Sequence, residues 1–309
     1  MSQSNPQISA RKLTGVTDYY ATLESRIGYR LFLSDARHFG YYDNEKSSAF
    51  PIGKSLRRME DKVFDALQAE KDANILDAGC GVGVVAMRLA KRGLKVQGVD
   101  LVERHIQKGQ RRIPGTGLDD RIQLRQGDFH DLSRFGDGEF DGAYMVESLL
   151  HAPEPLVVLK EMYRVLAPGK RLVLLSYDHP PTSSIPKDAA QKLRDVNDYS
   201  AMPSFDMFEP GVLEDLLKEA GFSNVETRDL SKNIMPMLWL FYVVALVPYL
   251  VVKLLGLQKR FVNTMAGAEG YPAVKKGWTR YVMVTASKPT SQAPNSPRAG
   301  LAKEAKKTV

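Results

Sequence analysis

The segment NILDAGCGVGVVAMRLA, residues 74–90, joins a short apolar run to a glycine-rich turn and then to a helical pattern. An apolar run of this length bounded by turn residues predicts a buried strand at Asn74–Gly79. The helix passes through Arg88 and Leu89 and is expected to end at Gly93, a residue type common after the last helical turn. Strand, turn and helix in this order predict the beginning of a parallel α/β sheet.

Similar alternation continues on both sides of this segment. This alternation indicates an α/β fold with a Rossmann-like, doubly wound sheet. The predicted helices are Asp18–Phe39, Ile52–Leu67, Glu103–Ile113, Pro155–Leu166 and 212–220. The predicted strands are Asn74–Gly79, Lys95–Asp100, Ile122–Asp128, Phe140–Ser148, Arg171–Asp178, Asn224–Leu230 and Thr279–Ser287.

Two insertions, at about His179–Glu209 and Ser231–Gly277, interrupt the alternation. Loops this long are usually binding elements, and open parallel sheets bind ligands at the C-terminal ends of their strands. We therefore expect a helical cap over a substrate. The predicted organisation is a disordered start (1–15), an N-terminal helical lid (16–72), the sheet core (73–230), an apolar cap insertion (231–277), the last core strand (278–288) and a disordered basic tail (289–309).

Acidic side chains end the first three predicted strands and converge on one edge of the sheet. Asp77 precedes a turn whose glycines allow close approach of a ligand, and the following helix offers free N–H groups. A carboxylate at Asp100 suits a ribose, and Asp128 with Phe129 suits an adenine ring. This set predicts S-adenosylmethionine (SAM) as the cofactor, bound by the turn residues Gly79, Cys80, Gly81 and Gly83 and by these acids. A nicotinamide cofactor is the alternative, because residues 81–86 also fit a dinucleotide pattern with alanine in third place.

Composition excludes several other functions. The single cysteine, Cys80, precludes a disulfide within the chain, and the five histidines show no metal-ligand spacing with carboxylates, so no metal is predicted. The formal net charge is +7, but five basic residues and one acidic residue lie in 288–309. The predicted core therefore has no basic stripe, and no nucleic-acid partner is expected.

Several segments resemble a known family. ILDAGCGVG, VQGVD, GDFHDL, FDGAYMVESLLHAPEP and YRVLAPGKRLVL resemble the class I SAM-dependent methyltransferases, and ESLLHAPEP with RHFGYY resembles their sterol and tocopherol methyltransferase branch. RIGYRLFLSDARHFGYYD, PIGKSLRRMED and FVNTMAGAEGY are similar to fungal natural-product methyltransferases, including the gliotoxin-type amide N-methyltransferases. The resemblance implies a seven-stranded sheet and cofactor contacts at Asp77, Gly79, Gly81, Asp100, Leu101, Asp128, Phe129 and Glu147, with Tyr20 and Tyr41 or Tyr42 closing over the methionine end.

The implied function is methylation of a small apolar secondary metabolite, foremost N-methylation of a diketopiperazine-type intermediate. O- or C-methylation of a terpenoid, sterol or polyketide, a SAM-binding protein without catalysis and a nicotinamide oxidoreductase are the alternatives. Methyl transfer to an amide or hydroxyl also removes a proton, which favours a general base. His151 is the first candidate, Glu147 the second and His179 with Asp178 the third. His105 and His130 are interpreted as surface or turn residues.

The segment from Asn233 to Val252 contains no charged residue and reaches the length of a membrane span. It lies between two strands of one predicted sheet, so a substrate cap that dips into a membrane surface is favoured over a single transmembrane helix. In that interpretation Trp239, Phe241, Tyr242 and Tyr249 line an apolar pocket. The N-terminal sequence MSQSNPQISA lacks the features of a signal peptide. The expected location is the cytoplasm, with membrane association through 233–252 as the open alternative.

Overall fold

The computed structural model describes residues 15–22, 24, 28, 30 and 33–290. The predicted disordered segments, 1–15 and 289–309, lie almost wholly outside the described residues. Among the described residues, the helices are α1 (Ile52–Leu67), α2 (Val84–Lys91), α3 (Glu103–Gln110), α4 (Pro155–Val165), α5 (Lys187–Tyr199), α6 (Val212–Glu219), α7 (Ser231–Leu254) and α8 (Val262–Lys275). The strands are β1 (Asn74–Ala78), β2 (Lys95–Asp100), β3 (Ile122–Gln126), β4 (Phe140–Val146), β5 (Leu166–Asp178), β6 (Ser223–Asp229) and β7 (Arg280–Ser287).

All seven strands form one sheet in the order β3-β2-β1-β4-β5-β7-β6. The first five run parallel, and β7 is antiparallel to both of its neighbours. Strand β1 lies between β2 and β4, with Ala78 opposite Val99 and Asp77 opposite Tyr144. The predicted Rossmann-like α/β class is confirmed, and the C-terminal ends of β1, β2 and β4 meet at one edge.

The core lies on both faces of the sheet because successive strand residues point to opposite faces. On β1, Leu76 packs into a cluster with residues of α4 and α6, whereas Ile75 packs into a second cluster with residues of α1 and α2. Both side chains are fully buried. A sheet covered on both faces explains why its central strands are almost continuously apolar.

Two predicted boundaries are wrong. The helix expected over 18–39 does not reach Phe39: residues 34–39 are not helical, and Ser34 and Asp35 both have positive φ (51° and 72°). Strand β5 begins at Leu166 rather than Arg171, so the Pro168–Gly169 turn signal lies within the strand and not in a separate loop. The turn signal is overridden here by strand pairing in the interior of the sheet, where Leu166 lies opposite Phe140 of β4.

The second insertion folds into two helices, α7 and α8, that pack against each other. Gly267 of α8 lies against Ala245 and Phe241 of α7. By length and composition alone, α7 is apolar enough to cross a membrane. Its first half is anchored to the rest of the fold: Ile234, Met237 and Leu238 are buried, and the Gly40 N–H donates to Met237 Sδ at 3.4 Å.

The predicted apolar pocket in this insertion is not formed by the four aromatic side chains. Trp239 is 52% exposed. Phe241 packs on Phe39, Tyr242 packs on Tyr271, and the Tyr249 hydroxyl donates to Glu269. These three side chains connect α7 to its neighbours, and none of the four aromatic residues lines the cofactor cavity described below.

Candidate functional site

A cavity of about 980 Å³, part of it open to solvent, lies at the C-terminal ends of β1, β2 and β4. Its lining combines the strand ends with side chains from the N-terminal segment and with Met202 of the first insertion; the N-terminal residues are Val16, Tyr20, Asp35, Arg37 and His38. Eleven of the predicted site residues line it: Tyr20, Asp77, Gly79, Cys80, Gly81, Asp100, Leu101, Asp128, Phe129, Glu147 and His151.

Five predicted site residues lie outside the cavity lining. Asp178 accepts two hydrogen bonds from Arg280, at 2.8 and 2.6 Å. Gly83 has φ of +74° and forms the turn into α2 behind the cavity wall. Tyr41 packs in the core beneath Lys62, and the buried Tyr42 donates its hydroxyl to Ala49 O at 2.8 Å. Both ring nitrogens of His179 face backbone carbonyls, and its ring stacks on Phe205. Packing within the lid and the first insertion therefore uses these side chains.

The glycine turn after β1 has no space for side chains. The N–H groups of Gly79 and Cys80 both donate to Val99 O, which holds the turn against β2. Gly79 has φ of +86°, and a Cβ there would lie 2.4 Å from the Ser148 Cβ. The turn therefore brings its backbone to the cavity surface, which only glycine permits at this position.

Asp100 is buried at the end of β2 and accepts three hydrogen bonds. The N–H groups of Gly81 and Val102 each donate to it at 2.8 Å, and His105 Nδ1 lies 3.1 Å from Oδ1. Burial alone would raise the pKa of this carboxyl, but the bond from His105 and the backbone donors hold it below its usual value. Asp100 is therefore an ionised carboxylate at the cavity wall.

His105 is not a surface residue as predicted from the sequence. Its side chain is buried, lines the cavity and connects Asp100 to Arg37, whose Nη2 lies 3.0 Å from His105 Nε2. Burial lowers the pKa of His105, so a neutral ring that donates from Nδ1 and accepts at Nε2 satisfies both contacts. In the sequence, the position of His105 five residues after Asp100, on the buried face of α3, indicates this role.

Asp77 is buried at the back of the cavity and accepts a hydrogen bond from the Tyr144 hydroxyl at 2.7 Å. Burial, with a smaller contribution from the charge of Asp100, raises its pKa to about 7. A carboxyl with this pKa is stabilised in its ionised form by any cation that comes near it. Binding of a positively charged ligand would therefore favour the ionised form of Asp77.

Asp128 lies at the opposite side of the opening and bonds to its own turn. Both His130 N and His130 Nδ1 lie within hydrogen-bond distance of its Oδ1, at 2.9 and 2.6 Å. Burial opposes ionisation, but the bonds from His130 lower the pKa of Asp128 overall. The Phe129 ring lines the cavity beside it. His130 is a turn residue, as the sequence predicted.

Glu147 follows β4 with a positive φ of 54°, which directs its carboxyl beneath the lid. Three donors bind it: the Tyr177 hydroxyl at 2.7 Å, the Tyr281 hydroxyl at 2.8 Å and Phe39 N at 3.2 Å. Burial raises the pKa of Glu147. This carboxyl connects β4, β5, β7 and the lid, so its donors restrict it to one orientation.

His151 is buried in the cavity wall and is held from both sides. Its Nδ1 lies 2.8 Å from Ala201 O, and its Nε2 lies 3.3 Å from the Tyr20 hydroxyl. Because a carbonyl only accepts, Nδ1 carries the proton and Nε2 is the acceptor. Burial lowers the pKa of His151, which keeps the ring neutral. The first insertion thus fixes this side chain in one tautomer.

Known proteins resemble most of the chain. A family model described as a methyltransferase domain matches residues 76–174. A SAM-dependent Diels-Alderase of Talaromyces variabilis is 41% identical over 89% of this chain and 94% of its own length. A second SAM-dependent Diels-Alderase, of Neonectria sp., is 32% identical over 67% of this chain and 82% of its own length. An O-methyltransferase of Penicillium expansum is 30% identical over 66% and 71%.

Solved structures share the fold. A [4+2]-cyclase superimposes with a TM-score of 0.66, at 23% identity over 92% of this chain and 96% of its own. A geranyl diphosphate methyltransferase in complex with SAM gives a TM-score of 0.63, at 20% identity over 82% and 98%. Both superpositions include most of this chain, so the overall fold is shared.

Proposed function

The chain belongs to the SAM-dependent methyltransferase family, whose relatives act in secondary metabolism, and we propose that it uses SAM to promote an intramolecular [4+2] cycloaddition of an apolar metabolite. The observation that carries the reaction type is that every ionisable side chain lining the cavity, among the described residues, already has a hydrogen-bonding or ionic partner. A reaction that needs no general base therefore suits this cavity best.

The cavity residues suit SAM, the family's cofactor. We propose that Asp77 pairs with the ammonium group of its methionine moiety, since a buried carboxyl with a pKa of about 7 gains most from a nearby cation. Asp100 and Leu101 would bind the ribose, and Asp128 with Phe129 the adenine. Gly79, Cys80 and Gly81 would present backbone to the methionine moiety, with Tyr20 above it. When bound, SAM supplies a positively charged sulfonium centre.

The partners of the candidate bases support this choice of reaction. Glu147 is bound by three donors, and both ring nitrogens of His151 are engaged. Methyl transfer to an amide or hydroxyl is accelerated by a nearby group that is free to accept the proton. A cycloaddition converts two π bonds into two σ bonds with no proton transfer and no leaving group. The enzyme then needs only to orient the reacting ends and to stabilise charge.

Methyl transfer is the second candidate function. It is favoured by the O-methyltransferase relative and by the position of His151 Nε2, whose only partner described above is a hydroxyl at 3.3 Å. A displaced Tyr20 would expose that nitrogen as a base. The relatives reported above give no support to the N-methylation of a diketopiperazine, the substrate favoured by the sequence segments.

The two reactions differ in product mass. We would delete the gene in its host, isolate the metabolite that accumulates and incubate it with purified full-length protein and SAM. A cycloaddition yields an isomer of unchanged mass and leaves SAM intact. Methyl transfer yields a product heavier by one methylene group and one S-adenosylhomocysteine (SAH) per turnover. An isomer formed without SAM consumption supports the proposal, and stoichiometric SAH overturns it in favour of methyl transfer.

A further inference from the structure

An exposed apolar stripe runs along the outer face of α7. Trp239, Val247, Leu250 and Leu254 are 52%, 70%, 60% and 85% exposed, which is unusual for large apolar side chains. The stripe recurs at helical spacing and is about 22 Å long from end to end. It consists of Trp239, Val243, Leu246, Val247, Leu250, Val251 and Leu254. An apolar surface of this extent marks an interaction site.

The charged residues of α7 and of the turn that follows it are all basic. Between Asp229 and Glu269 the chain has no acidic residue but carries Lys232, Lys253, Lys259 and Arg260, all exposed. Glu269 itself is only 16% exposed at its side chain and bonds to Tyr249. The stripe is thus bordered by cations, which complement a negatively charged surface.

The structure and the sequence argue against three other partners. A second copy meeting the same stripe would bring the two sets of cations together without an acidic partner. Residues 1–14 and 291–309 each contain only two large aliphatic side chains, too few to cover the stripe. A true span would require α7 to leave α8 and the buried contacts of Met237.

We propose that the apolar stripe of α7 docks on an anionic lipid surface, with α7 lying in the plane of the interface. Helices that lie in a membrane interface bury an apolar face and are held by basic residues. In α7 the outer side offers such a face, while the inner side is covered by α8. No residue of this surface lines the cofactor cavity, so membrane binding does not depend on the reaction proposed above.

Vesicle sedimentation tests the proposal with the full-length protein. We expect cosedimentation with phosphatidylcholine vesicles that contain phosphatidylserine, and weaker binding when phosphatidylserine is omitted or salt is raised. Val247→Asp should weaken binding at least tenfold. Val157→Asp is the matched control, because Val157 is also an exposed valine, 41% accessible, but lies on α4. SAH affinity, unchanged in both variants, confirms that they are folded.

Basic residues contribute separately. The double variant Lys259→Gln, Arg260→Gln should reduce binding to phosphatidylserine vesicles without affecting the SAH site. The proposal is overturned if the wild type binds neither kind of vesicle, or if Val247→Asp and Val157→Asp lose lipid binding equally. It is also overturned if lipid binding is lost only when the basic residues of 291–309 are replaced. A last contrary outcome is a dimer in sedimentation velocity that Val247→Asp converts to monomer, with no lipid binding. The last outcome assigns the stripe to a second copy.

Discussion

Asp77 is the residue whose ionisation most directly connects structure to ligand binding. Burial raises its pKa to about 7, so in the free protein the carboxyl is increasingly protonated as pH falls below that value. A bound ammonium group favours the ionised form and would lower this pKa. Ligand affinity should therefore rise as pH increases toward 7 and level off above it, because the proton no longer has to be displaced.

Calorimetric titration with SAH over this pH range measures the effect. Below pH 7 the affinity should change by up to on the order of tenfold per pH unit. Asp77→Asn should bind more weakly and show a much smaller dependence on pH. Tyr144→Phe serves as a control: removing the hydroxyl that donates to Asp77 should raise its pKa further and move the pH dependence upward. A pH-independent wild type would contradict the proposed pairing.

His151 separates the two candidate reactions at the residue scale. As a general base it would contribute about 10²–10⁴-fold to the rate. As a structural acceptor for Tyr20 it contributes only through positioning. We expect His151→Phe to retain turnover within about tenfold of the wild type, with SAH affinity little changed. Single-turnover measurements with the isolated metabolite decide between these roles, and a loss of several orders of magnitude would identify His151 as the base.

At the scale of elements, the turn between β1 and α2 places the cofactor residues, and its glycines can be tested by a matched pair. Gly79 and Gly115 both have positive φ (+86° and +78°), but a Cβ at Gly79 would clash with Ser148, whereas one at Gly115 meets nothing within 4 Å. Gly115→Ala should destabilise the protein by about 1–2 kcal/mol through backbone strain alone.

Gly79→Ala should add a further destabilisation of about 1–3 kcal/mol from the steric overlap, and it should weaken SAH binding. Urea unfolding of both variants measures the difference in the free energy of unfolding. Equal destabilisation of the two would show that close packing against Ser148 is unimportant.

Elements with a strong local signal were predictable, and elements defined by distant contacts were not. The β1 strand and its glycine turn are encoded within ten residues, so Asp77 and Asp100 were assigned to the correct edge of the sheet. The buried role of His105 depends on Asp100 and on Arg37 of the lid, which is 68 residues away in the chain. The misplacement of Tyr41 and Tyr42 has the same cause, since Tyr42 N bonds to Asn233 O across the molecule.

At the scale of the whole molecule, the cavity joins parts of the chain that are distant in sequence. Val16 and Tyr20, the ends of three strands and Met202 all contribute to its lining. A ligand that contacts all of them should stabilise the fold as one unit, because any ligand that binds only the native state shifts the unfolding equilibrium. SAH at about 100 times its dissociation constant should therefore increase the free energy of unfolding by about 2.7 kcal/mol.

Urea unfolding followed by two probes tests this linkage. Trp239 on α7 and Trp278 before β7 report by fluorescence on the side of the fold formed by the second insertion, and circular dichroism reports on all helices. Both transitions should shift together with SAH. Asp100→Asn should shift less at the same SAH concentration, whereas Asp65→Asn, an exposed carboxylate on α1, should match the wild type. If only the dichroism transition shifts, the α7–α8 pair unfolds independently of the cavity, and the ligand stabilises the sheet without the surface that we assign to lipid.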